Sequence, residues 1–364
     1  MRAAACTLLW RGVSALPRGS GDGRRRGRRL ACEWQAAARD AGASPWHPGG
    51  QARCAAGGAR PGPKASAQDS TGSGSGEAAG GGGGDADFGF RRVPAGEKKG
   101  MVADVFSNVA RNYDIMNDLM SAGMHRLWKD DFVSMLGIRA ALAAGHPPPR
   151  VLDVAGGTGD IAFRMVDDLR PYLAGNPGGG AGEGEGGPAA LPEVPWVTVS
   201  DINPDMLEVG KQRALRRFPA EAAGLMEWRQ ADAERLEGLQ DNAFHLYTVA
   251  FGLRNVTDVD KALREACRVL RPGGRFMCLE FSQVEGDAIR SLYDWYSFQV
   301  IPRLGQAVAG DHGAYQYLVE SIRMFPTQRE LEERMSAAGF RHVTHTNLTA
   351  GVVAVHSGFK PFRP

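Results

Sequence analysis

The sequence predicts an α/β protein with a doubly wound, mostly parallel sheet and a C-terminal antiparallel hairpin. Three observations lead to this fold class. The apolar run at 151–154 passes through a glycine turn into a helical pattern, which is the opening unit of nucleotide-type α/β folds. Four more short apolar runs follow, separated by helical patterns, and this alternation implies a parallel sheet. Two β-rich runs then close the chain.

The first sixty residues differ in composition from the rest of the chain. They contain eleven Arg, no Lys and three acidic residues, whereas the remaining 304 residues carry 32 basic and 38 acidic groups. An Arg-rich, acid-poor N-terminus is typical of a mitochondrial transit peptide, and the alternative is a basic disordered tail or a nucleic-acid-binding arm. The acidic remainder argues against a nucleic-acid binder, which needs a basic face.

Two glycine-rich segments are predicted to lie outside the packed part of the chain. Residues 61–100 are rich in Gly, Ser and Pro and form a linker with nothing to bury. Residues 175–195 fall between a helix and a strand, where loops normally have about two to six residues, so they are predicted to be a disordered surface insertion. The folded domain is therefore predicted at 101–364, beginning with two or three helices.

The glycine turn at 153–159 reads DVAGGTG. Gly157 and Gly159 allow a ligand to approach the backbone closely, and the following helix start offers unpaired N–H groups. Asp153 ends the strand and can accept hydrogen bonds from a cationic or amino-bearing ligand. A dehydrogenase would have G-x-G-x-x-G here. The turn is instead close to the D/E-x-G-x-G-x-G of S-adenosylmethionine-dependent methyltransferases, with Ala155 in place of the first glycine.

Acidic residues also end the next two predicted strands, at Asp201 and Asp232. Since the carboxyl ends of parallel strands share one edge of a sheet, both are predicted to lie near Asp153 and the turn at 252–255. A carboxylate after the second strand can accept both ribose hydroxyls of a nucleotide. Asp232, beside Ala233, can meet the exocyclic amine of an adenine. Three carboxylates suit a ligand with an ammonium, a ribose and an adenine but no phosphate.

The last third of the chain is predicted to contain an aromatic helix, a capped helix and a hairpin. Residues 286–304 are predicted to form either core or the wall of an apolar substrate channel, because they include Leu292, Tyr293, Trp295, Tyr296, Phe298, Val300 and Ile301. A capping box, Thr327 with Glu330, opens the next helix. Residues 341–349 and 351–359 then form two strands joined by a tight turn. The five cysteines show no metal-ligand spacing, so no metal is predicted.

Six segments together are similar to the ubiquinone/menaquinone C-methyltransferase family: RNYDIMNDLMSAG, LDVAGGTGDIAF, AFGLRNVTD, RVLRPGGRFMCLEFS, YQYLVESIRMFP and AGVVAVHSGFKP. The resemblance runs from about Val105 to the C-terminus, interrupted only by the glycine-rich insertion. It implies the class I S-adenosylmethionine-dependent methyltransferase fold. It also implies C-methylation of a polyprenyl methoxy-benzoquinol ring, with S-adenosyl-L-methionine contacts at Thr158, Asp201, Asp232 and Ala233.

The resemblance also has implications for location and partners. It implies a peripheral enzyme on the matrix side of the mitochondrial inner membrane, in a complex with other coenzyme Q biosynthesis proteins. The apparent transit peptide favours ubiquinone over menaquinone as the end product. Whether the chain forms a homodimer is left open.

Methylation of a ring carbon requires an electron-rich ring, so the site should stabilise a phenolate. Arg254 and Asn255, in the turn GLRNVTD, are predicted to do this. Arg254 would orient a water or stabilise the oxyanion, because a guanidinium does not give up its proton. His312 and Tyr315 are candidate proton acceptors, with packing or surface positions as the alternative.

Two other functions compete with this interpretation. One is a methyltransferase for another small apolar acceptor, which would not need the long apolar channel. The other is a non-catalytic scaffold of the coenzyme Q biosynthetic complex, which an eroded cofactor motif would favour. Asp153, Thr158, Asp201 and Asp232 are all present, and this favours the enzyme.

Overall fold

The computed structural model describes residues 85–109, 117–118, 121, 123–173, 195–219, 222–284, 299 and 312–362. The predicted leader at 1–60 lies outside these residues. So do all but the last residue of the predicted insertion and all but one residue of the aromatic segment 286–304.

The elements of the described chain, in order, are β1 (Asp85–Phe88), β2 (Arg91–Pro94), α1 (Ala95–Val109), α2 (Met124–Met135), α3 (Ile138–Ala143), β3 (Val151–Val154), α4 (Asp160–Leu173), β4 (Val197–Asp201), α5 (Pro204–Arg217), α6 (Ala222–Leu225), β5 (Met226–Gln230), β6 (Phe244–Ala250), α7 (Val259–Val269), β7 (Leu270–Phe281), α8 (His312–Met324), α9 (Gln328–Ala337), β8 (Arg341–Leu348) and β9 (Val353–Phe359). A short 3₁₀ turn, Leu253–Asn255, follows β6.

A seven-stranded sheet forms the centre of the fold, in the order β5-β4-β3-β6-β7-β9-β8. Strands β3 to β7 pair in parallel, and β9 pairs antiparallel with both β7 and β8. The chain order reverses at β3, which has β4 on one side and β6 on the other. Ligands bind at such a switch point, outside the carboxyl ends of the strands. The predicted fold class, including the C-terminal hairpin, is confirmed.

The hydrophobic core has one layer on each side of the sheet. Successive strand residues point to opposite faces, so in β3 Val151 joins one apolar cluster while Leu152 and Val154 join the other. All four residues of β3 are buried, as expected for a central parallel strand covered on both faces. Asp153 shares the face of Val151, so a carboxylate is buried at the end of the most central strand.

Side-chain N-caps begin three of the described helices: Asn203 at α5, Asp258 at α7 and Thr327 at α9. The predicted capping box is present at α9, where the Thr327 hydroxyl accepts from the Glu330 N–H and the Glu330 carboxylate accepts from the Thr327 N–H. In the part of the chain that the structure describes, no helix combines the length and the apolar character needed to cross a bilayer.

An N-terminal hairpin of β1 and β2 leads directly into α1 and lies outside the main sheet. The Phe88 ring stacks on Tyr317 of α8, with centroids 4.3 Å apart, and the Phe90 N–H donates to Glu320. The linker predicted for residues 61–100 therefore ends before residue 85. The composition was misleading here because a ten-residue hairpin buries only two side chains, Ala86 and Phe88.

Removing the hairpin is expected to destabilise the domain. A chain starting at Ala95 keeps all of α1 but loses the buried Ala86 and Phe88 and exposes Tyr317, so its free energy of unfolding should fall by about 3 kcal/mol relative to the full chain. Urea denaturation measures this difference. A chain starting at Asp85 is the matched control and should unfold at the same urea concentration as the full chain. Equal midpoints for the two truncated chains would contradict the packing role of the hairpin.

Candidate active site

An open cavity lies at the carboxyl edge of β3, β4 and β6. Its walls contain six of the seven residues that the sequence analysis assigned to the cofactor, together with one of the four assigned to catalysis. These are Asp153, Gly157, Thr158, Asp201, Asp232, Ala233 and Asn255. The described residues that line the cavity do not include Gly159, Arg254 or Tyr315. The sheet edge therefore brings together residues that lie about 100 positions apart in the chain.

The glycine turn follows a left-handed path. Ala155, Gly157 and Gly159 have φ of 51°, 53° and 84°, in the region that favours glycine. A Cβ at Gly159 would lie 2.6 Å from Trp228 and 3.0 Å from Phe163, so this glycine allows α4 to pack closely on the sheet. Gly157 lines the cavity itself. Ala155, the departure from the methyltransferase pattern, is therefore held in a conformation that costs an L-residue about 1 kcal/mol.

The methyl group of Ala155 faces Gly252, and this contact yields a testable prediction. A Cβ at Gly252 would lie 2.4 Å from the Ala155 Cβ, so Gly252→Ala should destabilise the fold by about 1–3 kcal/mol. In an Ala155→Gly background the clash is absent, and the same substitution should cost much less. Thermal unfolding of the four variants measures both steps. Equal losses in the two backgrounds would contradict the predicted contact.

Asp153 is buried near the end of β3 and lines the cavity. Its Oδ1 accepts from the Thr248 hydroxyl at 2.7 Å, while its Oδ2 is buried without a hydrogen-bond partner among the described residues. Burial raises the pKa of Asp153 to about 7, and the bond from Thr248 offsets this only in part. A buried carboxylate oxygen without a partner is suited to receive a cationic group such as an ammonium.

Asp201 ends β4 and organises the backbone around the cavity. Its Oδ2 accepts from the Gly157 N–H and its Oδ1 from the Asn203 N–H, both at 2.9 Å. Burial raises the pKa of Asp201 to about 6, against the lowering effect of these backbone hydrogen bonds. The carboxylate keeps lone pairs for further donors, so its position suits the two hydroxyls of a ribose.

Asp232 is paired with a lysine that the sequence analysis missed. Lys99 of α1 places its Nζ 2.6 Å from Asp232 Oδ2 and 3.2 Å from Glu234 Oε2. Burial lowers the pKa of Lys99, but the two carboxylates outweigh it and the pKa is raised overall. Lys98 next to it donates to the Val256 carbonyl at 2.8 Å. Helix α1 thus lies against the cavity. Lys99 belongs to the segment that was assigned to a linker, and no local sequence signal there indicated its contact with Asp232.

Arg254 is buried behind the cavity wall in an ion pair with Glu280. One guanidinium nitrogen donates to Glu280 Oε1 at 2.9 Å and to the Phe251 carbonyl, while Nε is buried without a partner in the described chain. Burial raises the pKa of Glu280 even though Arg254 opposes the shift. Sequence reasoning missed Glu280, although it lies near the carboxyl end of β7, the same sheet edge that identified the three aspartates.

Of the two predicted proton acceptors, the structure describes the side chain of Tyr315 only. Tyr315 is fully buried in α8. His312 is the first residue of α8, and its side chain lies outside what the structure describes. Two positions beyond Tyr315, the hydroxyl of Tyr317 donates to Asn255 Oδ1 at 3.2 Å. The tyrosine of α8 that reaches the cavity wall is therefore Tyr317.

The hydrogen-bond acceptors of the cavity fit the cofactor that the resemblance implies. Asp153 offers an oxygen for an ammonium, Asp201 two oxygens for a ribose, and Asp232 a carboxylate at the position expected for an adenine amine. Acidic groups at all three strand ends would repel a phosphate. Within the described residues, no group of three His, Cys, Asp or Glu side chains could hold a metal ion.

The chain is similar to known methyltransferases. A model of the ubiE/COQ5 methyltransferase family matches residues 93–360. The mitochondrial 2-methoxy-6-polyprenyl-1,4-benzoquinol methylase of Homo sapiens is 49% identical over 293 residues, which cover 75% of this chain and 84% of that protein. The protein of the same name from Dictyostelium discoideum is 46% identical over 278 residues, covering 75% and 85%. The ubiquinone/menaquinone biosynthesis C-methyltransferase UbiE of Brucella abortus is 47% identical over 273 residues, covering 75% and 90%.

Proposed function

The chain belongs to the ubiE/COQ5 methyltransferase family, and we propose that its substrate is a 2-methoxy-6-polyprenyl-1,4-benzoquinol of ubiquinone biosynthesis. It is an S-adenosylmethionine-dependent C-methyltransferase, as its family membership and its relatives indicate. The observation that carries the proposal is the single cavity that unites Asp153, Asp201 and Asp232 with Asn255.

We propose that three carboxylates hold the cofactor. The buried Oδ2 of Asp153 would accept from the ammonium, Asp201 from the ribose hydroxyls, and Asp232 from the adenine amine, with Lys99 alongside. Gly157 and Thr158, in the glycine turn, would contact the cofactor with their backbone. S-adenosyl-L-methionine supplies an electrophilic methyl group on its sulfonium. The residues of this chain contribute by holding that group and the ring in line, which can supply several kcal/mol of the barrier.

On the acceptor side, we propose that Asn255 donates to the ring oxygen whose deprotonation makes the adjacent carbon nucleophilic. Asn255 lines the cavity, and its Oδ1 is already engaged by Tyr317, which leaves the Nδ2 group as the donor. Arg254 precedes Asn255 in the chain and lies behind the cavity wall, and its Nε has no partner among the described residues, so it would act on the oxyanion through a water. Fixed donors aimed at developing negative charge in a desolvated site are a strong source of rate enhancement.

We propose that the protein works in mitochondria, as a peripheral protein on the matrix side of the inner membrane and together with other coenzyme Q biosynthesis proteins. Several relatives are named as mitochondrial. The Arg-rich, acid-poor composition of residues 1–60 and the apolar tail of the proposed substrate support the same placement.

The proposed function is tested with the full chain, methyl-labelled S-adenosyl-L-methionine and a short-chain 2-methoxy-6-prenyl-benzoquinol. Mass spectrometry should find the label on a ring carbon, and Asp201→Ala should abolish it by preventing cofactor binding. Label on an oxygen, or none despite tight cofactor binding, would indicate a different acceptor. If the unsubstituted chain fails to bind the cofactor, the scaffold interpretation replaces the enzyme. A chain starting at Met101 is unsuitable because it lacks Lys98 and Lys99.

A further inference from the structure

We propose that Tyr317 is a positioning residue, which fixes the side-chain amide of Asn255 so that its N–H₂ end faces the acceptor ring. The proposal rests on the proposed function, in which Asn255 donates to the ring oxygen. It adds a residue from α8, 62 positions away, and through it a role for the N-terminal hairpin.

The orientation of the Asn255 side-chain amide depends on its hydrogen bond with Tyr317. An asparagine side chain carries an acceptor and a donor that can exchange places by rotation about the terminal bond. The Tyr317 hydroxyl donates to Asn255 Oδ1 at 3.2 Å, and this bond selects one of the two orientations. Asn255 lines the cavity, so the selected orientation presents Nδ2 to a ligand there. A rotated amide would present an acceptor to a phenolate, which is repulsive.

The Tyr317 hydroxyl can donate to Asn255 only while it keeps its proton. The side chain is 5% exposed, and burial raises its pKa to about 12, against the opposing effect of Arg254. The hydroxyl therefore keeps its proton throughout the physiological range and is able to donate it to Asn255 Oδ1. It cannot serve as the base that deprotonates the acceptor.

Side chains of the N-terminal hairpin and of α1 hold Tyr317 in place. Phe88 of β1 stacks on its ring with an interplanar angle of 21°, and Val102 of α1 joins the same buried cluster. One turn along α8, Glu320 accepts from the Phe90 N–H at 3.0 Å. The hairpin thus holds the tyrosine ring through Phe88 and the helix that carries it through Phe90.

A double-mutant cycle tests the proposal. In the full chain, Tyr317→Phe keeps the stack on Phe88 and removes only the hydroxyl, so kcat should fall about 10-fold while KM and the cofactor Kd change less than twofold. In an Asn255→Ala background the same substitution should change kcat less than twofold, because its target is absent. Tyr172→Phe is the matched control, since Tyr172 donates to the Arg139 carbonyl away from the cavity and its loss should leave kcat unchanged.

Phe88→Leu supplies a second, independent variant, which should lower kcat about 3-fold by loosening Tyr317. An equal 10-fold loss from Tyr317→Phe in both backgrounds, or no loss in either, overturns the proposal. An NMR measurement that does not depend on turnover distinguishes a failure of this proposal from a failure of the proposed function. The Asn255 side-chain amide resonances, identified by their absence in Asn255→Ala, should shift in Tyr317→Phe. Unshifted resonances overturn the proposal, whereas shifted resonances in a chain without methyltransferase activity would overturn only the proposed function.

Discussion

Arg254→Ala is expected to lower kcat by about 10²–10³-fold while changing the cofactor Kd less than threefold. The magnitude is that of removing one donor to a developing oxyanion, which the guanidinium would reach through a bridging water. Arg254 lies behind the wall formed by Asn255 and is not among the described residues that line the cavity, so cofactor affinity should be nearly unaffected. Isothermal titration calorimetry and single-turnover kinetics separate the two quantities. An equal loss of affinity would assign Arg254 to cofactor binding.

The same substitution should also destabilise the fold, and this effect must be removed before the kinetics are interpreted. Arg254→Ala leaves the 1%-exposed Glu280 without its ion-pair partner, which typically costs about 3–5 kcal/mol. Arg254→Ala/Glu280→Gln replaces the buried charge with a neutral amide and should recover most of that stability without recovering turnover. Recovery of turnover together with stability would show that the single substitution acted through unfolding alone.

Asp153→Asn is expected to weaken cofactor binding about 30- to 100-fold at pH 8 and to remove the pH dependence of binding near neutrality. The loss corresponds to one charge-assisted hydrogen bond of about 2–3 kcal/mol. The pKa of Asp153 is raised to about 7 by burial, so its carboxyl is largely neutral below that pH. The affinity of the unsubstituted chain should therefore rise with pH through about 7 and level off above it. Titration calorimetry from pH 6.5 to 8.5 measures both curves.

Asp201 sets the lower limit of that pH range, because its pKa is raised to about 6 and its protonation contributes at more acidic pH. Asp153→Asn should bind with nearly constant affinity between pH 6.5 and 8.5. If the variant kept the full pH dependence of the unsubstituted chain, the titrating group would be another one, and the assignment of the ammonium to Asp153 would be wrong.

The free energy of unfolding of the cofactor-free protein should fall as pH rises, whereas the affinity for the cofactor should rise. A carboxyl whose pKa is higher in the folded than in the unfolded state favours folding when protonated, so ionised Asp153 lowers the free energy of unfolding as pH rises from about 4 through 7. Asp153→Asn removes this penalty, and its Tm at pH 8 should exceed that of the unsubstituted cofactor-free chain. The Tm difference should shrink at pH 5, where the native carboxyl is already neutral.

The fold class and the location of the cavity could be predicted because both depend on local patterns. Short apolar runs alternating with helical periods imply a parallel sheet, and parallel strands place their carboxyl ends together. Asp153, Asp201 and Asp232 could therefore be assigned to one site from their positions after strands, before any contact was known. The same rule applied to β7 would have added Glu280.

The hairpin at 85–94 and the contacts of Lys99 could not be predicted from composition. A segment following a glycine-rich stretch, with few apolar residues, has no periodic signal of its own. Its order comes from Phe88 stacking on Tyr317 and from Lys99 pairing with Asp232, and these partners lie more than 130 residues away along the chain.

Local sequence patterns determined the parallel sheet with its C-terminal hairpin, and they placed three carboxylates at one edge of that sheet. The tertiary structure alone decided which charge neutralises Arg254, which tyrosine of α8 reaches Asn255, and that Ala155 occupies a left-handed position against Gly252. The reason is that periodicity and propensity act over a few residues. A hydrogen bond or ion pair between distant segments is fixed by how whole elements pack, and packing depends on all of the side chains at the interface.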